Sequence, residues 1–225
     1  MGNRYWGDKM YKKISIIEKG PLRVQGFNYI KKANNVKIHI SQDVFLCRCG
    51  KSENKPFCDG SHILEEFNDE IDKNLTSNDL KEYVGEKITI FFNDKICSHR
   101  GICYELQPDV FTGKDILPND GNVEKIIEAC KKCPSGALSY KLTNGVRNQV
   151  GEKKIKEIQL AKRQYGFDGP YEISGNIKLE NSKNRPETED HYVLCRCGKS
   201  KNMPFCSGEH WKAKFIDENN DDKEE

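Results

Sequence analysis

The feature that most constrains this chain is a cysteine pattern that occurs twice. Leu46-Cys47-Arg48-Cys49-Gly50-Lys51-Ser52 returns as Leu194-Cys195-Arg196-Cys197-Gly198-Lys199-Ser200. Lys55-Pro56-Phe57-Cys58 returns as Met203-Pro204-Phe205-Cys206, and His62 as His210, all at a constant shift of 148 positions. Upstream, Gly20-Pro21-Leu22-Arg23-Val24-Gln25-Gly26 matches Gly169-Pro170-Tyr171-Glu172-Ile173-Ser174-Gly175 at a shift of 149. This is a duplicated domain rather than a short-period solenoid. Each copy is small, and only 36% of the 225 residues are hydrophobic while 32% are charged. Units of that size bury too little surface to hold together without staples. The chain has ten cysteines to serve as them.

The repeats frame a middle segment with a different pattern, and the chain divides into residues 1–70, 77–146 and 150–216, followed by an acidic tail over 217–225. Asn68 to Asn78 and Asn144 to Gly151 read as polar connectors. The tail reads as a solvated, disordered end. Each repeat is β-rich: Lys13–Glu18, Leu22–Gln25, Val36–Ile40 and Val44–Leu46 in the first, Tyr171–Ser174, Asn176–Leu179 and His191–Leu194 in the second. The middle segment predicts a strand over Lys87–Phe92, a helix over Asn122–Cys133 stopped by Pro134, and a strand over Ala137–Leu142. A net charge of +2 offers no basis for nucleic-acid binding. Met1 to Trp6 lacks a signal-peptide core, and Trp6 stands where a myristoylation signal at Gly2 wants Ser or Thr. The longest apolar runs are strand-sized, so no membrane span is expected. A cytoplasmic, reducing setting follows, in which closely spaced cysteines point to metal or redox chemistry rather than disulfides.

In the first repeat the potential ligands are Cys47, Cys49, Cys58 and His62. Cys47 and Cys49 leave a strand end on a tight turn, where two thiolates can chelate one iron. Cys58 and His62 stand four apart and share a face on a first helical turn, where they can hold a second. Asp59 is placed to cap that helix. Cys3His is also an ordinary zinc set, and spacing alone leaves that reading open. The run Cys58-Asp59-Gly60-Ser61-His62, with the preceding cysteines, resembles the signature of the CDGSH iron–sulfur (NEET) family. The resemblance implies a [2Fe–2S] cluster on Cys47, Cys49, Cys58 and His62, and a second on Cys195, Cys197, Cys206 and His210. It also implies two-fold pairing through a shared β cap. The second copy departs at Ser207 and Glu209, although Ser207 can still cap. His39 and His191 match no ligand pattern and read as ordinary strand or loop residues.

The middle segment reads Cys97-Ser98-His99-Arg100-Gly101-Ile102-Cys103, then Cys130-Lys131-Lys132-Cys133-Pro134-Ser135-Gly136-Ala137-Leu138. A cysteine followed by proline is the closing ligand of bacterial ferredoxin clusters. The segment resembles the divergent mono-cluster ferredoxin family, which implies ligands at Cys97, Cys103 and Cys133. Arg100 stands where a full C-x2-C-x2-C would put a further cysteine. Cys130 and His99 are the candidates for a fourth ligand, and without one a [3Fe–4S] cluster takes the place of [4Fe–4S].

The expected architecture is α+β, built of small β-rich metal-cluster domains. The two repeats would pair within one chain as a pseudo-dimer, with the ferredoxin-like segment an insertion at its side. All ten cysteines fall in cluster motifs, and no Walker, Rossmann, G-x-S-x-G or HExxH motif is left to suggest catalysis. The expected function is a monomeric electron carrier rather than an enzyme, with two [2Fe–2S] clusters, one [4Fe–4S] or [3Fe–4S] cluster and redox proteins as partners. The alternative is a module that stores, senses with or delivers clusters to apo iron–sulfur acceptors.

Overall fold

A computed structural model of the protein describes residues 11–72, 80–149, 151 and 155–220. The signal and myristoylation readings at Met1 to Trp6 lie outside them. Five strands come from the first repeat: β1 (Lys13–Ile16), β2 (Leu22–Gln25), β3 (Tyr29–Lys31), β4 (Lys37–His39) and β5 (Val44–Leu46), followed by the short helix α1 (Ser61–Leu64). The middle segment supplies β6 (Lys81–Val84), β7 (Ile88–Phe92), α2 (Ile102–Leu106), α3 (Val123–Lys131) and β8 (Leu138–Leu142). The second repeat supplies β9 (Glu157–Leu160), β10 (Tyr171–Ser174), β11 (Lys178–Glu180) and β12 (His191–Leu194). Among the described residues no helix is long and apolar enough to cross a membrane.

The two repeats exchange a strand. One sheet runs β11-β1-β2-β5 and the other β12-β10-β9-β3-β4. Thus β11 of the second repeat lies parallel on β1 of the first, while β3 of the first lies parallel on β9 of the second. Each half closes an edge of the other, which would otherwise expose unpaired N–H and C=O groups. The alternation of β2 turns Leu22 and Val24 inward. They meet Ile14, Ile16, Ile158, Leu160, Tyr171, Ile173 and Leu194 in a single core drawn from both repeats. The fold is α+β and β-rich, and the two repeats pair within one chain, as expected.

The middle segment has its own antiparallel sheet, β6-β7-β8. The buried face of α3, Ile126, Ala129 and Cys130, packs with Ile88, Ile90, Leu138 and Tyr140 to form a second core. The helix ends at Lys131 rather than at Cys133. Pro134 disfavours helical geometry in the residue before it, so Cys133 leaves the helix early.

The described residues at the start of the connector and of the tail belong to the fold. Asp69 is buried and accepts from Arg48 Nη2 at 2.7 Å. Asp217 is buried and accepts from Arg196 Nη1 at 3.0 Å. Phe67 and Phe215 lie against the same guanidinium groups, at 5.1 and 5.2 Å. The solvated-tail reading is therefore corrected for residues 217–220: Asn220 is also buried, accepting from the Ala33 N–H and donating to Asp168. Residues 221–225 lie outside the described residues. Burial pushes the Asp69 carboxyl up, but its bonds to Arg48 outweigh that and hold it below the ordinary range.

Asp69→Ala leaves Arg48 buried without its carboxylate and is expected to destabilise the protein by about 3–5 kcal/mol. Asp217→Ala is expected to cost less, because Arg196 also stands 3.5 Å from Asp168. Denaturant unfolding of the two variants measures the order. Strand exchange within one chain also predicts a monomer of 25.9 kDa by sedimentation.

Candidate metal centres

Both cysteine turns are built the same way. Cys47 follows directly on β5, its N–H bonded to the Pro56 carbonyl at 2.8 Å, and the Cys58 N–H returns to the Phe45 carbonyl at 2.8 Å. Cys195 and Cys206 repeat this with Pro204 and Val193 at 2.8 and 3.2 Å. Ser52 and Ser200 each donate a hydroxyl across the loop, to the Phe57 and Phe205 carbonyls at 2.6 Å. These bonds bring strand-end and loop cysteines together without a disulfide, and all ten cysteines are free thiols.

The donors stand in pairs. Cys47 and Cys49 Sγ are 3.7 Å apart, and Cys58 Sγ is 3.4 Å from His62 Nδ1. In the second copy the distances are 3.7 Å for Cys195 and Cys197 and 3.4 Å for Cys206 and His210. Among the described residues, no three His, Cys, Asp or Glu side chains converge as a site for one ion. The contact with Cys49, aided by backbone N–H groups, lowers the Cys47 thiol to about 6. Its counterpart Cys195 is lowered to about 7 by Cys197.

Asp59 holds its loop as expected but from one residue earlier than a helix cap. It accepts from the Ser61 N–H at 3.0 Å and from the Glu53 N–H at 2.8 Å, while Gly60 occupies the cap position. Ser207 keeps the corresponding bond, accepting from the Lys201 N–H at 3.1 Å. The exchange removes a negative charge and retains the loop.

In the middle segment a short 3-10 turn, Asp94–Ile96, delivers Cys97, and Cys103 lies in α2. Cys97, Cys103 and Cys133 all line one cavity of about 380 Å³, together with His99, Arg100 and Phe111. Cys130 does not line it; it is packed behind, in the core with Ile126 and Tyr140. His99 also reaches the second repeat, where its ring abuts Gly208. Burial raises the Cys97 and Cys103 thiols to about 12 and about 11. Cysteines in such a place need a cation beside them to ionise, which a cluster iron provides. His39 lies in β4, and His191 is buried in β12 beside Asp190 at 3.3 Å; neither joins a donor set.

Arg48, Arg196 and their partners Asp69, Asp217, Phe67 and Phe215 were not singled out from sequence. The signal was available: Phe67-Asn68-Asp69 and Phe215-Ile216-Asp217 recur at the same shift of 148 as the cysteines.

Comparison with known proteins agrees with this geometry. The family described as iron-binding zinc finger, CDGSH type, matches residues 19–63 and 168–211. The family described as divergent 4Fe-4S mono-cluster matches residues 83–143. The chain joins these two iron–sulfur families, the first of them twice. The mono-cluster domain thus lies between two CDGSH domains. Two curated relatives, each named uncharacterized protein YjdI, come from Escherichia coli K12 and Escherichia coli O157:H7. Each is 35% identical over 74 residues, which is 32% of this chain and 97% of the relative. No solved structure matches the chain.

The cavity lining yields a direct expectation. Cys133→Ser should remove or convert the mono-cluster centre, while Cys130→Ser should keep its iron and its absorption. Iron and sulfide counts on anaerobically purified variants check this; equal losses would put Cys130 in the ligand set.

Proposed function

We propose that the protein is an electron carrier with three centres. Cys47, Cys49, Cys58 and His62 would hold one [2Fe–2S] cluster, and Cys195, Cys197, Cys206 and His210 another. Cys97, Cys103 and Cys133 would hold a [4Fe–4S] or [3Fe–4S] cluster, with His99 at the cavity wall. Bound there, iron–sulfur clusters supply one-electron redox chemistry whose potential depends on ligand charge and burial.

One observation carries this reading: the three donor sets abut one another. Gly50 has φ +77, and a Cβ there would stand 2.6 Å from the Cys197 carbonyl oxygen; Gly198, φ +74, packs equally tightly on the Cys49 carbonyl. Only glycine allows both the left-handed turn and that approach. The Cys97–His99 loop in turn lies on Gly208, between Cys206 and His210. Electron transfer weakens steeply with distance, so cysteine turns interleaved backbone to backbone suit it.

The chain's own residues also set the local charge. Arg48 and Arg196, the residues between the two cysteines of each Cys-x-Cys pair, are buried, and their charges are met by Asp69 and Asp217. No substrate-side chemistry is assigned, and one-electron redox proteins are the proposed partners. A reducing compartment such as the cytoplasm suits ten free thiols. The second reading, delivery of clusters to apo acceptors, is favoured by the partial exposure of Cys58 and His62.

Anaerobically purified protein is expected to contain about seven or eight iron atoms per chain, with matching sulfide. Stoichiometric zinc in a colourless protein would overturn the cluster assignment. Mixing the holo-protein, first reduced with dithionite and freed of excess reductant, with an apo-ferredoxin, and separately with an oxidised one, tests the role. Reduction of the second without transfer of iron to the first is the expected result.

A further inference from the structure

The two CDGSH domains are near copies in sequence and opposites in surroundings. Among the described residues, a Cβ at Gly60 would meet nothing within 4 Å. At the corresponding Gly208 it would run into the His99 ring and stand 3.3 Å from the Cys97 carbonyl oxygen. His62 is partly exposed, and Ile63 and Leu64 beside it are 72% and 88% exposed. His210 is 2% exposed. Its neighbour Trp211 packs 5.5 Å from the imidazole and is itself flanked by Tyr165 at 5.7 Å and Phe167 at 6.2 Å.

The clamp that makes this difference comes from the mono-cluster domain. Arg100 lines the cluster cavity, yet its guanidinium points outward into the second CDGSH domain. It donates to the Lys162 carbonyl at 2.6 Å and to Gln164 at 3.1 Å, and pairs with Glu172 at 3.3 Å. Gln164 donates back to the Arg100 carbonyl. Gly169, in the same domain, holds the Arg100 side chain closely enough that a Cβ would lie 3.6 Å from its Cδ. Every one of these anchors belongs to residues 162–172 of the second repeat.

Resting on the electron-carrier reading, we propose that the three centres work in series. The second CDGSH centre is an internal relay between the mono-cluster centre and the first CDGSH centre, and the first is the port to an outside one-electron redox protein. Each step moves a single electron between neighbours, one being oxidised as the next is reduced. The outside protein takes up or supplies that electron beside His62. His99 and Arg100 act as positioning residues that seat the mono-cluster loop on the relay. The port is left open because, among the described residues, nothing equivalent seats on Gly60.

A matched pair of substitutions tests this in the full-length holo-protein. Gly60→Ala and Gly208→Ala both put a side chain on a left-handed residue, φ +93 and +78, so backbone strain is common to them. Only Gly208→Ala also wedges the His99 loop away. In partially reduced wild type, electron paramagnetic resonance should show magnetic interaction between the mono-cluster centre and one CDGSH centre. That interaction should fall sharply in Gly208→Ala and persist in Gly60→Ala. Gln164→Ala, which lies outside every donor set, should weaken it in the same direction and serves if Gly208→Ala fails to hold its clusters. Iron removal by a chelator at neutral pH should have two phases differing about tenfold or more. The fast phase should be absent from Cys58→Ser, and the slow phase should quicken in Gly208→Ala. Equal coupling in the two glycine variants, or a single chelation phase in wild type, overturns the relay. With full iron content and intact electron transfer to the oxidised ferredoxin, that result would leave the carrier reading standing.

Discussion

Each metal-binding turn is organised around a buried arginine that separates its two leading cysteines. Arg48 and Arg196 are almost wholly enclosed, and a guanidinium cannot shed its proton to escape the cost of burial. It must be met by carbonyls and a carboxylate, and the chain provides both. Gly20 and Ile17 accept from Arg48, and Gly169 accepts from Arg196. The carboxylates come from Asp69 and Asp217, on the chain that follows each donor histidine. Satisfying the arginine therefore draws the segment before the first strand turn and the segment after the histidine onto one point. The donor cysteines are fixed between them.

From that clamp the rest of the architecture follows in order. The strand leading into each turn joins a sheet that its own repeat cannot complete, and the missing strand arrives from the other repeat. Tyr171 ties the halves again, donating to the Cys47 carbonyl at 2.8 Å across the shared core. A two-fold pair of separate chains would present two equivalent outer faces. Covalent fusion around a third domain breaks the equivalence, because one insertion can lie against only one side. Three of the positions at which the repeats differ, Ser207, Glu209 and Trp211, line the same surface as His99.

Much of this was legible in the residues themselves. The repeat, the four-donor sets, the three-part layout and the strands β2, β5, β10 and β12 can be read from spacing and alternation. Other parts depend on tertiary contact. Glu157–Leu160 carries charge and an amide at positions that look solvated, yet all four residues are buried because β9 is flanked on both edges. Tyr29–Lys31 is too short to signal a strand, and is held between β4 and β9. Asp69 and Asp217 sit in polar runs whose composition resembles linker; only their recurrence with the phenylalanines distinguishes them. Cys130 follows helical periodicity to the core, and its spacing from Cys133 does not separate packing from ligation.

The exchanged strands also set a schedule for synthesis. β1 finds its outer neighbour in β11, whose first residue is 165 positions later in the chain. At translation speeds of about 5–20 residues per second, that strand emerges roughly 8–33 s after β1 does. Through this interval the first repeat has an open sheet edge and half a core. The middle domain, whose three strands pair only among themselves, can fold meanwhile. Productive folding of this chain thus depends on keeping one nascent edge from pairing with a neighbouring ribosome's product until its own partner arrives.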